Sequence, residues 1–309
     1  MKKAMVIIPL ILLFGDISFA NVDIDIGGEV VAGWEWDSRE IYPNNEFYLQ
    51  RVRTQIEVEF DTLDRFKTEI SFDLNIDGVE LKSAELIWVY GRQFELGIGH
   101  RRKALGIEDL YNLHSAPSAY WSEVRELLDN AGYLDRDIGI WAMGKFFQEP
   151  YQIEYELGLF NGHGGVALTS EKQFCGRMTY SPTGFIDVIG SYGTGLDTLG
   201  LLWRDAWGIG AIIDPGNFEI GGEFLSGNEI ISGAEFDGWH TWARYTIGKF
   251  MPYTHYETTS TEAHETNRVH LGIAFDPIEK IRFRMQTTFV GADENSPRSE
   301  IKLQIGARF

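Results

Sequence analysis

The chain has 309 residues, with 46 Asp and Glu against 27 Lys and Arg and a formal net charge of −19. That acidity argues against a nucleic-acid partner, which needs a basic face. A single cysteine, Cys175, excludes an internal disulfide and any multi-cysteine metal site. Aromatics at 14%, 34 glycines and a mean hydropathy of −0.18 suit a barrel, in which lipid-facing and water-facing side chains average out.

In chain order, Lys2 and Lys3 precede the apolar run Ala4 to Phe14, and Ser18-Phe19-Ala20 offers a small-residue cleavage site. This order predicts a secretory signal peptide over 1–20. The mature chain then begins near Asn21, and the loss of Lys2, Lys3 and Asp16 takes its net charge from −19 to −20. No later stretch holds the roughly 18 consecutive apolar residues of a transmembrane helix. An exported chain of this kind either stays in the periplasm or spans the outer membrane as a barrel, and 21–309 reads as one barrel domain.

Period-2 alternation recurs along the whole chain. Val52, Thr54, Ile56, Val58 and Phe60 alternate with Arg51, Arg53, Gln55, Glu57 and Glu59, and Ile281, Phe283, Met285, Thr287 and Phe289 with Arg282, Arg284, Gln286 and Thr288. The final strand reads Ile301, Leu303, Ile305, Ala307, Phe309 on one face and Glu300, Lys302, Gln304, Gly306, Arg308 on the other. Charges at every second position on so many strands do not fit a dry core and do fit a water-filled lumen. Strands are predicted at approximately 22–36, 46–60, 64–76, 80–90, 92–100, 136–147, 151–161, 172–180, 184–193, 205–214, 217–227, 237–247, 249–258, 267–276, 280–290 and 300–309. Links after even strands are short, such as Gly91, Pro215-Gly216 and Gly248, and those after odd strands are mostly longer. This is the pattern of periplasmic turns and external loops. The prediction is an all-β transmembrane antiparallel barrel of about 16 strands, with fourteen as the alternative count.

Residues 101–135 form a connection of about 35 residues, far beyond a hairpin loop. Ser118 to Asn130 is predicted helical, capped by Ser118, with Tyr120, Val124, Leu127 and Leu128 on one face and a stop at Gly132. Gly97 and Gly99 lack side chains on the lumen face of the preceding strand, which predicts that this third external loop folds inward against them. The pore-lining and constriction candidates are Arg51, Arg53, Arg101, Arg102, Lys103, Glu108, Asp109, Glu123, Arg125 and Arg136. Trp34, Trp36, Trp88, Tyr90, Trp239 and Tyr253 fall near strand ends, where aromatic girdles sit.

Several short motifs resemble the phosphate-selective porin O and P family. They are Phe47-Tyr48-Leu49-Gln50-Arg51-Val52-Arg53, Ser83-Ala84-Glu85-Leu86, Phe94-Glu95-Leu96-Gly97-Ile98-Gly99, Arg136-Asp137-Ile138-Gly139-Ile140, Gly158-Leu159-Phe160-Asn161-Gly162, Trp242-Ala243-Arg244-Tyr245 and Phe250-Met251-Pro252-Tyr253. The resemblance covers most of 45–309 and implies a sixteen-stranded outer-membrane porin, commonly trimeric, with an inward third loop and an anion-binding basic arrangement. The chain departs from that pattern at the constriction. Segment 102–135 sets Arg102, Lys103 and Arg125 against Glu108, Asp109, Glu123, Glu126, Asp129 and Asp135, a balance of −3. A mixed or acidic ring does not favour phosphate.

Catalytic motifs are missing: there is no G-x-S-x-G, H-E-x-x-H or P-loop in the sequence. His264 and His270, six apart, read as solvated polar residues rather than a metal pair. No metal and no cofactor are expected. The sequence therefore reads as an outer-membrane porin for passive diffusion of small hydrophilic solutes or ions, with weak selectivity and without enzymatic activity. Its expected partners are outer-membrane lipid, lipopolysaccharide and copies of itself in a homotrimer. A barrel hydrolase and a periplasmic soluble ligand-binding β-protein are the alternatives.

Overall fold

The computed structural model describes residues 22–38, 44–60, 66–75, 78–112, 114–119, 121–134, 136–162, 172–196, 202–230, 232–262, 265–292 and 298–309. Sixteen strands run in chain order: β1 (Val22–Asp37), β2 (Asn44–Phe60), β3 (Phe66–Asn75), β4 (Gly78–Val89), β5 (Glu95–Arg102), β6 (Arg136–Phe146), β7 (Gln152–Phe160), β8 (Gln173–Thr183), β9 (Ile186–Leu196), β10 (Trp203–Ile213), β11 (Phe218–Asn228), β12 (Glu235–Tyr245), β13 (Phe250–Thr261), β14 (Glu265–Ile278), β15 (Ile281–Ala292) and β16 (Arg298–Arg308). Each pairs antiparallel with its sequence neighbours, and β1 pairs with β16 to close the barrel. The predicted sixteen strands are all present, and the count of fourteen is excluded. Closure removes the unpaired edge that an open sheet of this length would expose.

The closing seam runs from Glu29 opposite Arg308 to Asp37 opposite Glu300. Phe309 extends it: its N–H donates to the Gly28 carbonyl at 3.1 Å, and the Gly28 N–H donates back at 3.2 Å. A Cβ on Gly28 would lie 2.3 Å from the Arg53 carbonyl oxygen of β2 and 2.6 Å from the Phe309 ring, so the β2 backbone and the terminal ring both close on this glycine.

Alternation resolves into two faces. Trp207, Ile209 and Ile213 on β10, Leu271 and Ile273 on β14, and Leu303 and Ile305 on β16 are exposed. Glu219 and Glu223 on β11, Arg284, Gln286 and Thr288 on β15, and Lys302 and Gln304 on β16 are buried. This inverts a soluble protein's distribution, with the apolar face outward and the polar face inward. No helix among the described residues is long and apolar enough to cross a membrane.

Short turns follow the even strands, with Gly216 at φ 107° between β10 and β11 and Gly248 at φ 61° between β12 and β13. The link after β4 is longer than Gly91 alone and runs from Tyr90 to Phe94. Only two residues separate β3 from β4, so this odd link is short as well. The predicted signal peptide lies outside the described residues.

The buried apolar residues gather on the connection between β5 and β6. Leu105, Val124, Leu128, Ala131, Tyr133 and Leu134 pack with Ala206, Leu225, Ile230 and Phe236. Ile107 packs with Ile189, Ile212 and Trp242. Each fully buried Leu, Val or Ile contributes about 1.5–3 kcal/mol relative to exposure, so this packing is the main force holding the connection to the wall.

Candidate functional site

The connection folds locally around one short helix, α1 (Glu123–Asn130). Its start lies later than the predicted Ser118, because Ser122 is the cap: the Ser122 hydroxyl accepts the Arg125 N–H at 3.1 Å. Glu108, fifteen residues ahead of α1, accepts the Ser122 N–H at 3.0 Å and the Ser122 hydroxyl at 2.5 Å. It thereby does at a distance what the acidic residue of a capping box does within a helix. A second carboxylate, Glu257 on β13, accepts the Glu123 N–H at 2.6 Å. Two carboxylates at the positive end of the helix fix its position on β12 and β13. The end is as predicted: Gly132 has φ 89°, with Tyr133 N–H donating to the Leu128 carbonyl and Gly132 N–H to Asp129, a Schellman stop.

Arginines on the polar face grip the stretch before the helix. Arg284 Nη2 donates to the carbonyls of His114 (2.6 Å) and Ala116 (2.9 Å), and its Nη1 donates to Ser118 (3.2 Å). Arg282 Nη1 also reaches the His114 carbonyl at 2.6 Å, and Arg244 Nη1 reaches the Ser115 carbonyl at 2.9 Å. Gln286 Oε1 accepts the Ala119 N–H at 3.0 Å. Bonds to a charged donor are worth about 1.5–3 kcal/mol each. None of these arginines is among the sequence candidates. Their alternation marks them as facing the lumen, but nothing local links them to residues 129 to 170 positions away.

The predicted site residues divide into two groups. On the connection, Asp109 accepts from Arg102 at 3.0 Å and from Arg125 at 3.2 Å. Lys103 is buried and donates to Gln173 Oε1 at 2.6 Å and the Gly132 carbonyl at 3.1 Å, so it anchors the connection rather than lining an aqueous path. Glu108 is likewise buried under Ser122. Glu123 pairs with Arg268 at 2.9 Å. On the wall, Arg51 pairs with Glu29 at 2.7 Å, and Arg53 makes a two-pronged pair with Asp73 at 2.6 and 2.8 Å. Arg101 pairs with Glu156 and lies 4.7 Å over the Trp141 ring. Arg136 donates to the Lys82 carbonyl at 2.8 Å. Arg51 and Arg53 therefore pair across strands, with carboxylates on β1 and β3.

Three further expectations are corrected. A Cβ on Gly97 would fall 2.2 Å from the Trp141 indole, and one on Gly99 2.0 Å from the Ala84 carbonyl. These glycines make room for the adjacent wall, not for the connection. The glycines that admit the connection are Gly193, 2.7 Å from Leu105, and Gly238, 2.8 Å from Val124. Tyr253 belongs to no girdle: it is buried on the polar face and donates to Gln286 Oε1 at 2.9 Å. His270 is not solvated either, since it contacts Thr288 Oγ1 at 2.9 Å and Glu257 at 3.1 Å; its predicted companion His264 lies outside the described residues.

Burial sets the charge of the connection. Glu108 is pushed above the usual carboxylate range by desolvation, opposed by His240 and Ser122. Glu126 is raised by desolvation as well, with Arg268 opposing. His114 is lowered to about 4, first by burial and then by the guanidinium groups of Arg282, Arg308 and Arg284.

No protein-family model matches the chain, and no curated protein sequence does. Solved structures do. The chain is similar to the anion-selective porin of Comamonas acidovorans at 11% identity, covering 93% of this chain and 100% of that one with a TM-score of 0.69. It is also similar to a loop-deletion mutant of OmpT, an outer membrane protein of Vibrio cholerae, at 11% identity, 94% and 100% coverage and a TM-score of 0.73. A mutant of the Rh. blastica porin matches at 13% identity, 93% and 100% coverage and a TM-score of 0.64. At these identities the likeness establishes the sixteen-strand barrel fold. The narrower resemblance to the phosphate-selective family has no matching family model behind it.

Proposed function

We propose that the protein is an outer-membrane porin through which small hydrophilic solutes and ions diffuse passively. The observation that carries this reading is the inverted surface: a closed barrel with exposed Trp207, Ile209, Leu271, Ile273, Leu303 and Ile305 outward and a charged face inward. Lipid accounts for the first and water for the second. Two porins and an outer membrane protein, from three organisms, share the fold. Export by a cleaved signal peptide over 1–20 and assembly as a homotrimer belong to the same reading.

In this reading the connection between β5 and β6 lies inside the barrel and narrows the path. Its apolar packing and the Arg244, Arg282 and Arg284 grip on residues 114–118 support that placement. We take the remaining passage to run between the exposed edge of α1, with Glu126 and Asp129, and a wall carrying Arg51, Arg53 and Arg136, the last in the field of the other two, while Arg102 is tied to the connection through Asp109. Arg51, Arg53 and Arg102 are each paired with a carboxylate. The constriction therefore presents little uncompensated positive charge, and selectivity is weak with a lean toward cations.

A catalytic reading is disfavoured by burial. Thr288, His270 and Glu257 are ordered as nucleophile, base and acid would be, yet each is at most 2% exposed and Gln286 also donates to the Thr288 hydroxyl. Substrate has no way to reach that oxygen. The test is swelling of liposomes loaded with the purified barrel. Swelling rates that fall with increasing sugar size support the porin, and no swelling with folded protein present refutes it.

A further inference from the structure

Three histidines stand in a row on the polar face of adjacent strands: His240 on β12, His255 on β13 and His270 on β14. Their ring centroids are 5.4 Å apart between the first two and 5.1 Å between the last two. His270 is satisfied by Glu257 and Thr288. The other two are not. His240 and His255 are each 1% exposed, and neither ring nitrogen of either residue has a hydrogen-bond partner. Buried polar groups in folded proteins are nearly always paired, and leaving one unpaired costs about 1–3 kcal/mol. Four ring nitrogens without a hydrogen bond in one place, only His240 Nε2 having a charged group within 4 Å among the described residues, call for a ligand.

The surroundings supply the rest of a metal site. One carboxylate oxygen of Glu108 and one ring nitrogen each of His240 and His255 lie within 4.8 Å of one another. Glu223 on β11 stands beside them: its Oε2 is 3.6 Å from His240 Nε2, and its Oε1 has no hydrogen-bond partner. Its Oε2 meanwhile holds the Ile107 N–H at 2.9 Å, next to Glu108.

We infer that Glu108, His240 and His255 form a binding site for a zinc-class divalent metal ion, with Glu223 as the adjacent carboxylate. Two imidazoles and a carboxylate are ligands of borderline metals such as Zn²⁺, Co²⁺ and Ni²⁺, whereas Ca²⁺ and Mg²⁺ prefer all-oxygen sites. Metal–ligand distances of about 2.0–2.2 Å bring neighbouring ligand atoms to roughly 3.3 Å apart, so the side chains close by rotating inward slightly. The two carboxylates neutralise the ion in its dry surroundings. Ser122 orients Glu108 through its N–H and hydroxyl, and the stack on His270 orients His255, as supporting groups do around bound metals. One ligand comes from the connection between β5 and β6 and two come from the wall. The ion is thus a staple, fastening the start of the connection to β12 and β13 beneath α1.

The test is a metal-binding titration of the purified, detergent-folded protein after chelator treatment, with Zn²⁺ for affinity and Co²⁺ for its visible absorption. The expected result is one tightly bound Zn²⁺ per chain, a Co²⁺ complex with four-coordinate bands, and Ca²⁺ that does not compete. His255→Leu and the milder His255→Gln should each weaken Zn²⁺ at least tenfold and abolish the Co²⁺ bands. Barrel folding is read separately from heat-modifiable gel mobility. Folded protein that binds no Zn²⁺, or binds it equally after His255→Gln, overturns the inference. None of these readouts depends on channel activity, so failure here leaves the porin reading standing and failure of the porin reading leaves this one standing.

Discussion

Replacing Arg284 with Met tests the placement of the connection most sharply. Arg284 is 4% exposed and is a donor to three carbonyls, those of His114, Ala116 and Ser118. After Arg284→Met the His114 carbonyl keeps Arg282, but those of Ala116 and Ser118 lose the Arg284 bond, and both residues are 1% exposed. At about 1.5–3 kcal/mol for each lost bond to a charged donor, less what the methionine recovers by apolar burial, the docked connection loses on the order of 2–4 kcal/mol. Every 1.4 kcal/mol is tenfold, so the undocked fraction rises roughly 30-fold to several hundred-fold. Single-channel recording should then show a larger mean conductance and frequent brief level changes absent from the parent protein. The barrel itself, with its sixteen paired strands, should keep its heat-modifiable mobility. Unaltered conductance and noise in a folded Arg284→Met barrel would refute the claim that this arginine holds the connection across the path.

Other outcomes follow from the same geometry. Gly193→Val places a methyl-bearing carbon where Leu105 stands 2.7 Å from the Cβ position, and it should raise channel noise as Arg284→Met does, whereas Gly97→Val should disturb Trp141 and lower barrel stability in urea. Neutralising the exposed helix edge with Glu126→Gln and Asp129→Asn should move the reversal potential toward anions; no movement would mean that ions pass elsewhere. His114 carries a pH dependence: its docked value of about 4 lies below the ordinary 6.5, so the undocked state binds more protons between those values. Its contribution to docking is complete above pH 6.5 and is lost as pH falls toward 4. Over that window His114 adds acid-induced noise to the parent, and His114→Gln should remove that addition. The raised carboxyls Glu108 and Glu126 act with the opposite sign and remain in both proteins, so the difference between the two isolates His114.

The barrel was legible because its determinants are local. Alternation of Leu303 and Ile305 with Lys302 and Gln304 states which way each side chain faces, and Phe309 extends the seam through backbone bonds to Gly28. The same parity placed Arg282 and Arg284 on the water side. What those arginines bind was not legible, because their partners are backbone carbonyls that carry no residue identity. The start of α1 is not legible for a similar reason. Ser118 and Ser122 both can cap, and the choice is made by Glu108 and Glu257, one on the connection and the other on β13. Closeness to a turn suggests a girdle position for Tyr253, although its parity with His255 and Glu257 puts it on the polar face. The Glu108–His240–His255 cluster has no signature in the sequence because its members lie on three separate elements, whereas His264 and His270 are close only in sequence.

The central claim is a water-filled path through this barrel, constricted by a segment of net acidic charge. Planar-bilayer recording of the purified protein under a salt gradient tests it directly. Discrete conductance steps with a reversal potential that is small or cation-leaning are predicted. The absence of steps in repeated folded preparations, or strong anion selectivity with block by phosphate, would contradict it.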